Sequence, residues 1–265
     1  NITLDTSIVH AFDLNLLDSN TEGTINADIV TTIQGLAKDI NIAYASDGIS
    51  KTNLGTETVI LHDLTVVASD LNLLDSNNTT GTIDASGVTT ITGSAIDINI
   101  AYASDGITGL GDENITLDTP TVLASDLNTL DDNTEGTINA DDVTTITGLA
   151  SDINIAYASN GISKNDLGNE TVILSDLTVK ASDLNALDTN NTSGTINADS
   201  VTTITGSAID INNAYGSSGI TGLGDENITL DTPTVDALDL NNLDNNTAGI
   251  INADNVTTIT GIDFE

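Results

Sequence analysis

Residues 124–147 read ASDLNTLDDNTEGTINADDVTTIT, and close variants of this stretch recur along the chain. The Asp-Leu-Asn or Asp-Ile-Asn motif inside it occurs nine times, at intervals of 26 to 31 residues, from Asp13 to Asp239. Two versions of the repeat alternate, and four repeats make a longer period of 113 residues. Repeats of this length pack on their neighbours to share a core. The chain is therefore predicted to be one continuous array over 1–265, with periods 1–113, 114–226 and a partial 227–265.

Each repeat carries one helical signal and two strand signals. Ala124, Leu127 and Leu130 lie three residues apart, which puts them on one face of one or two helical turns. Segments 137–140 and 143–147 are β-branched with alternating apolar positions, which favours strands. The sequence thus predicts a mainly β fold. We expect a right-handed parallel β-solenoid of about nine coils, each about 28 residues long, with short helical corners.

The expected core is aliphatic, because the chain has no Trp, two Phe and four Tyr. The tyrosines occupy one position in the second version of the repeat, and a stacked column with surface hydroxyls is predicted. A carbohydrate-stacking platform is the alternative. The tyrosines are Tyr44, Tyr102, Tyr157 and Tyr215.

The motif asparagine recurs in all nine repeats, and a ladder of stacked amides is predicted. A column of ligand or ion sites is the alternative.

Charge excludes several classes of partner. The chain has 40 acidic residues, four basic residues and a formal net charge of −36. Nucleic acids and anionic membrane surfaces need Lys and Arg, so neither is an expected partner. No apolar run is long enough to cross a membrane, so no membrane insertion is expected. Cys and Met are absent, which suits an oxidising environment outside the cell.

No constellation of residues indicates catalysis, and the chain is predicted not to be an enzyme. His10 aligns with Leu123 and His62 aligns with Ser175 one long period later, so both histidines are predicted to face solvent. The glycines from Gly106 to Gly111 have a spacing that can cradle phosphate, but no Lys follows them. A corner loop is the preferred interpretation of this segment.

Residues 131–142 have the spacing of a twelve-residue calcium loop, with oxygen-bearing side chains at places 1, 3, 5, 9 and 12 and Gly at place 6. This segment resembles the loop of dockerins and EF-hands, although the equivalent repeats change the last place to Ile29 or Asn255. A strand pattern follows where the helix of such a site would stand. Ca²⁺ is the predicted cofactor, and other divalent cations are possible partners; diffuse screening by salt is the alternative. The predicted ligands are Asp131, Asn133, Glu135, Asn139 and Asp142.

Taken together, the DLNxLD, GTINA, VTTITG and DINxAYASxGI motifs resemble arrays in very large secreted or cell-surface proteins of bacteria, notably marine cyanobacteria. The resemblance implies an extracellular structural segment, such as an adhesin shaft, a surface layer or a filament. An ice-binding Thr-rich solenoid and a calcium-dependent polysaccharide-acting β-helix are the alternatives. Neither end of the sequence carries an evident polar cap. We therefore expect end-to-end self-association or contact with flanking repeats of the same protein.

Overall fold

The computed structural model describes residues 1–50, 54–163 and 167–261. In these residues nine helices of eight to ten residues alternate with short strands. The helices are α1 (Ala11–Ser19), α2 (Ala37–Ala45), α3 (Ala68–Asn77), α4 (Ala95–Tyr102), α5 (Ala124–Asn133), α6 (Ala150–Ala158), α7 (Ala181–Asn190), α8 (Ala208–Gly216) and α9 (Ala237–Asn246). The strands are β1 (Ile2–Thr3), β2 (Ile8–His10), β3 (Ile25–Asn26), β4 (Thr32–Gly35), β5 (Thr58–Leu61), β6 (Thr65–Val67), β7 (Ile83–Asp84), β8 (Thr90–Gly93), β9 (Ile107–Thr108), β10 (Asn114–Leu117), β11 (Thr121–Leu123), β12 (Ile138–Asn139), β13 (Thr145–Gly148), β14 (Thr171–Leu174), β15 (Thr178–Lys180), β16 (Ile196–Asn197), β17 (Thr203–Gly206), β18 (Ile220–Thr221), β19 (Asn227–Leu230), β20 (Thr234–Asp236), β21 (Ile251–Asn252) and β22 (Thr258–Thr260).

The prediction of a mainly β solenoid is wrong, because the chain folds as repeated α/β units. The expected helical corner is a full helix: α5 has ten residues, close to three turns. Asp and Asn are weak helix formers, which made this signal look weak in the sequence. Tertiary packing overrides this low helix propensity, because an apolar face that packs on the core supplies most of the stability of a helix. In α5 this face is formed by Ala124, Leu127 and Leu130, which are fully buried.

The chain divides into two compact units. The first unit comprises Asn1–Thr119 with Thr129–Asn139, and the second comprises Pro120–Asn128 with Ala140–Glu265. Every described strand pair is parallel. The first unit holds sheets β1-β3, β2-β4-β5-β7-β9 and β6-β8-β10-β12, and the second holds β11-β13-β14-β16-β18, β15-β17-β19-β21 and β20-β22.

Strand register builds the core of each unit from columns of aliphatic side chains. In the first unit Ile33 pairs with Val59, Val59 pairs with Ile83, and Ile83 pairs with Ile107. All four side chains are buried, so the expectation of an aliphatic core is confirmed for the described residues. Burial of each large side chain stabilises the fold by about 1.5–3 kcal/mol. Phe12 is exposed, and Phe264 lies outside the described residues.

The N-termini of α2 and α6 are each capped by an aspartate from the following repeat. Asp63 accepts a hydrogen bond from the backbone N–H of Ala37, the first residue of α2, at 2.9 Å. In the second unit Asp176 accepts the same bond from Ala150 at the start of α6, also at 2.9 Å. Each carboxylate thus caps a helix that begins 26 residues earlier in the chain. By contrast, α4 and α8 are capped by the serine immediately before them.

Candidate functional site

A pair between a tyrosine and a buried glutamate recurs four times and is the most distinctive polar feature of the described residues. The tyrosine hydroxyl donates to Oε2 of the glutamate over 2.8 to 3.1 Å. The four glutamate side chains are at most 3 % exposed, which is rare for an acidic residue. The pairs are Tyr44–Glu57, Tyr102–Glu113, Tyr157–Glu170 and Tyr215–Glu226.

Local sequence explains how each pair is positioned. Tyr102 ends α4, and Glu113 directly precedes β10, so the intervening turn brings the carboxylate back to the ring. The backbone N–H of Gly111, two residues before Glu113, donates to the same Oε2 at 2.9 Å. Corresponding bonds come from Gly55, Gly168 and Gly224. The predicted corner loop around Gly111 therefore uses its amide on its own glutamate, which leaves that amide unavailable to a phosphate.

A side chain from the next repeat donates a hydrogen bond to the backbone carbonyl of each glutamate. Thr134 donates its hydroxyl to the carbonyl of Glu113 at 2.7 Å, and Thr247 does the same for Glu226. In the other two pairs an asparagine amide replaces the hydroxyl, at 3.0 Å, from Asn78 and Asn191. Asparagine and threonine thus serve the same role at this place, because both side chains reach the same kind of carbonyl.

Burial sets the electrostatics of the pair. Desolvation, reinforced by the charge of Glu57, raises the pKa of the Tyr44 hydroxyl well above its ordinary value. The phenol therefore stays protonated and remains a hydrogen-bond donor. The second oxygen, Oε1, of Glu57, Glu113 and Glu226 is buried and has no hydrogen-bond partner among the residues that the structure describes. A carboxylate held in this way is fixed in place, and removing one of its donors carries a desolvation cost.

The predicted tyrosine column with surface hydroxyls is wrong. Tyr44 is itself buried, and all four hydroxyls point to buried carboxylates. Sequence reasoning missed the glutamates because an acidic residue in a strongly acidic chain is expected at the surface. A signal was present, since Gly-x-Glu recurs at residues 55–57, 111–113, 168–170 and 224–226.

The asparagines of the motif bond to the next repeat within each unit, but the bonds differ from the predicted ladder of amides. Asn72 donates from Nδ2 to the backbone carbonyl of Asp97 in the next repeat at 2.9 Å. Equivalent bonds of 2.8 to 3.0 Å are made by Asn15, Asn41, Asn128, Asn154, Asn185 and Asn212. Bonds to backbone fix the spacing of successive helices. The aspartates of the motif lie in the first turns of the helices.

The predicted calcium ligands do not lie together on a loop. Asp131 and Asn133 belong to the last turn of α5, and Asn133 donates to Oδ1 of Asn99 at 3.2 Å. Glu135 is exposed in the following turn, and Asn139 lies in β12. Asp142 is exposed and falls in the second compact unit. Across residues 1–50, 54–163 and 167–261, no three His, Asp or Glu side chains form a group able to hold a metal ion. Binding of Ca²⁺ stays a prediction.

The outward strand positions bear on the ice-binding alternative. In the second unit Leu123 pairs with Thr147, and Thr147 pairs with Ile173. Ile173 pairs with Asn197, which in turn pairs with Thr221. This outward row therefore mixes aliphatic, amide and hydroxyl groups, whereas the ice-binding alternative was suggested by Thr-x-Thr strands that can form flat threonine arrays.

The two histidines lie on the surface, as expected, but they also contact each other. The ring centroids of His10 and His62 are 5.8 Å apart. The sequence could not indicate this contact, because the residues belong to different repeats and only the strand register brings them together.

Comparisons with protein-family models, with curated proteins and with solved structures found no match to this chain. The resemblance to secreted repeat arrays therefore depends on the sequence motifs alone. None of the described helices is both long and apolar enough to span a membrane.

Proposed function

We propose that this chain is a structural repeat segment of an extracellular or cell-surface protein, such as a shaft or filament, and not an enzyme. The observation that carries the proposal is the use made of the recurring polar side chains. Bonds such as Asn72 to Asp97 and Thr134 to Glu113 join residues 25 and 21 positions apart. Each repeat is thereby attached to the backbone of the next, and the same side chains are not free to bind a substrate.

The surface composition supports a location outside the cell. A formal charge of −36 keeps such an array soluble and discourages nonspecific association. The lack of Cys and Met removes the side chains that oxidise most readily. Both properties suit a segment that is exposed for long periods without repair.

Immunogold electron microscopy of the cells that make the protein tests this proposal. Antibodies raised against the purified chain are expected to label the outer surface or extracellular material of unpermeabilised cells. Label that occurs only after permeabilisation, inside the cell, would contradict the proposed location. Incubation with pectate and alginate, followed by absorbance of unsaturated products, tests the polysaccharide-acting alternative. Thermal hysteresis tests the ice-binding one.

The proposed partner is a second copy or a flanking repeat of the same protein. Ile259 in β22 is 62 % exposed, whereas its equivalent Ile146 in β13 is fully buried under the next repeat of the second unit. Ile250 nearby is 76 % exposed. An apolar strand surface of this kind gains stability when another repeat covers it.

Light scattering over a wide concentration range tests the self-association. We expect the molar mass to rise with concentration and to fall back when Ile259 and Ile250 are both changed to Lys. The matched control is Leu177→Lys, at a position that is 66 % exposed on a loop of the same unit. A strictly monomeric unmodified chain would contradict the proposal, as would equal loss of association in the control.

A further inference from the structure

The chain contains two histidines, and the fold of the first unit brings them into contact. Their ring centroids are 5.8 Å apart, and the planes meet edge to face at 61°. Both side chains are exposed. Gln34 lies beside them, with its Nε2 atom 2.8 Å from Nε2 of His10. Three side chains that carry nitrogen or amide groups therefore converge at one place on the surface.

Strand register holds the three side chains at this place. His10 ends β2 and pairs directly with Gln34 of β4, which pairs in turn with Ile60 of β5. His62 follows β5, and its backbone N–H donates to the carbonyl of Gly35 at 2.9 Å. The backbone under both rings thus belongs to one hydrogen-bonded sheet, which limits the motion of the rings to side-chain rotation.

The separation of the rings suits a shared metal ion. Imidazole nitrogens bind Zn²⁺ at about 2.0–2.1 Å, so two rings on one ion have their centroids about 5 to 6 Å apart. The observed 5.8 Å lies in this range. Imidazole is a ligand for Zn²⁺, Cu²⁺ and Ni²⁺, whereas Ca²⁺ and Mg²⁺ prefer oxygen. The chemistry of the pair therefore selects borderline transition metals over the hard cations that an acidic surface attracts.

We propose that His10 and His62 together bind one divalent transition-metal ion of the Zn²⁺, Ni²⁺ or Cu²⁺ class, with water completing its coordination. Gln34 is the positioning residue. In the structure its amide nitrogen faces Nε2 of His10. A half-turn of the amide brings its oxygen to the same place, where it accepts from the Nε2–H of His10 when the ion takes Nδ1, and this bond orients the ring. The acidic surface of the chain raises the local concentration of cations. Asp63 follows His62 directly, but its carboxylate caps α2 through the N–H of Ala37 and is not one of the proposed ligands.

The repeats themselves supply variants that keep the fold. One long period later, Leu123 stands at the place of His10 and Ser175 at the place of His62, and Thr147 corresponds to Gln34. Because these residues lie in or directly after the corresponding strands of the second unit, His10→Leu, His62→Ser and Gln34→Thr are expected to fold normally. Circular dichroism and the urea midpoint check this before any metal is added.

The test is a titration of the full chain with ZnCl₂ in a buffer that contains excess CaCl₂, which competes with Zn²⁺ for the carboxylates. Long-range ¹H–¹⁵N correlation spectra of the imidazoles contain signals from two rings only, and each single variant assigns one of them. We expect the signals of both rings to shift together and to stop shifting at one equivalent of Zn²⁺. The affinity measured by calorimetry is expected to fall at least about tenfold in His10→Leu and in His62→Ser, and by less in Gln34→Thr.

Asp63→Asn is the matched control, because it removes a nearby charge and keeps an acceptor for Ala37. Its Zn²⁺ affinity is expected to stay within about threefold of the unmodified chain. The proposal would be overturned if the NMR signals of the two rings changed at different Zn²⁺ concentrations. An unchanged Zn²⁺ affinity in either histidine variant would also overturn it. A loss in Asp63→Asn as large as in the histidine variants would also overturn it, since the carboxylate would then be the principal ligand.

Discussion

The hydroxyl of Tyr102 donates a 2.9 Å hydrogen bond to Oε2 of Glu113, whose side chain is fully buried. Changing Tyr102 to Phe removes the donor and leaves Oε2 with the N–H of Gly111. Because a buried charged group that loses a partner pays its desolvation cost, the free energy of unfolding is expected to fall by about 1–3 kcal/mol. Urea unfolding followed by circular dichroism measures this change.

A double-mutant cycle with Glu113→Gln separates the pair from general effects of each substitution. Residues in one hydrogen-bonded network couple by about 0.5–3 kcal/mol, and a coupling in this range is expected here. Strictly additive effects of the two substitutions would show that the bond contributes nothing of its own.

How much of the fold the sequence could predict depended on how local each signal was. Alternation placed Ile138 and Ile146 in core strands, because strand periodicity is readable within five residues. The helices were underestimated, since their three apolar residues are separated by Asp, Asn and Ser, and tertiary packing decides their length. The overall fold class was wrong for this reason, although most of the elements were located correctly.

The candidate site depended on contacts between repeats, which local patterns do not encode. Burial of Glu57 requires Tyr44 from the preceding helix and Asn78 from the next repeat at the same time. The contact of His10 with His62 requires the register of three strands. The spacing of residues 131–142 indicated a calcium loop, but its first three residues complete α5, because the helix continues past the expected corner.

The asparagine bond between repeats gives a second prediction. Asn72→Ala removes the donor to the carbonyl of Asp97, and the free energy of unfolding is expected to fall by about 0.5–1.5 kcal/mol. Asn241→Ala is the matched control, because Asn241 holds the same motif position but is exposed. A change within about 0.5 kcal/mol is expected for the control. Equal losses in the two variants would mean that helix propensity, and not the bond, explains the effect. Urea unfolding provides both values.

The pH dependence of stability follows from Asp63. Burial is the largest cause that raises its pKa above the ordinary value, with Asp70 and Asp39 adding repulsion. A raised pKa in the folded state means that the protonated form is favoured there. The contribution of Asp63 to the free energy of unfolding is therefore complete below its unfolded pKa of about 3.9. This contribution is lost as the pH rises through the pKa of Asp63 in the folded state.

Asp63→Asn tests this sign, because the amide keeps an acceptor for the N–H of Ala37 and carries no charge. The stability of Asp63→Asn relative to the unmodified chain is expected to increase between pH 3 and pH 7. Asp63→Ala removes the cap and is expected to cost about 0.5–2 kcal/mol at pH 3. Melting temperatures across this pH range provide the measurement, and Asp176→Asn is expected to behave alike in the second unit. A difference in melting temperature between Asp63→Asn and the unmodified chain that does not change with pH would contradict a raised pKa of Asp63.

The last prediction concerns Gly136, which passes close to the backbone of the preceding repeat. A Cβ atom at this position would collide with the carbonyl of Glu113 and lie 2.9 Å from the backbone nitrogen of Asn114. Backbone atoms in a paired strand cannot move aside without loss of hydrogen bonds, so Gly136→Ala is expected to destabilise the fold by about 1–3 kcal/mol. Gly216→Ala at the end of α8 is the control, because nothing lies within 4 Å of its added Cβ. Since neither glycine has a positive φ, the comparison isolates the steric effect. The control is expected to be neutral or to stabilise by up to about 1 kcal/mol. Thermal melts of both variants measure the contrast, and a Gly136→Ala protein as stable as the control would show that neighbouring repeats are packed less closely than the structure describes.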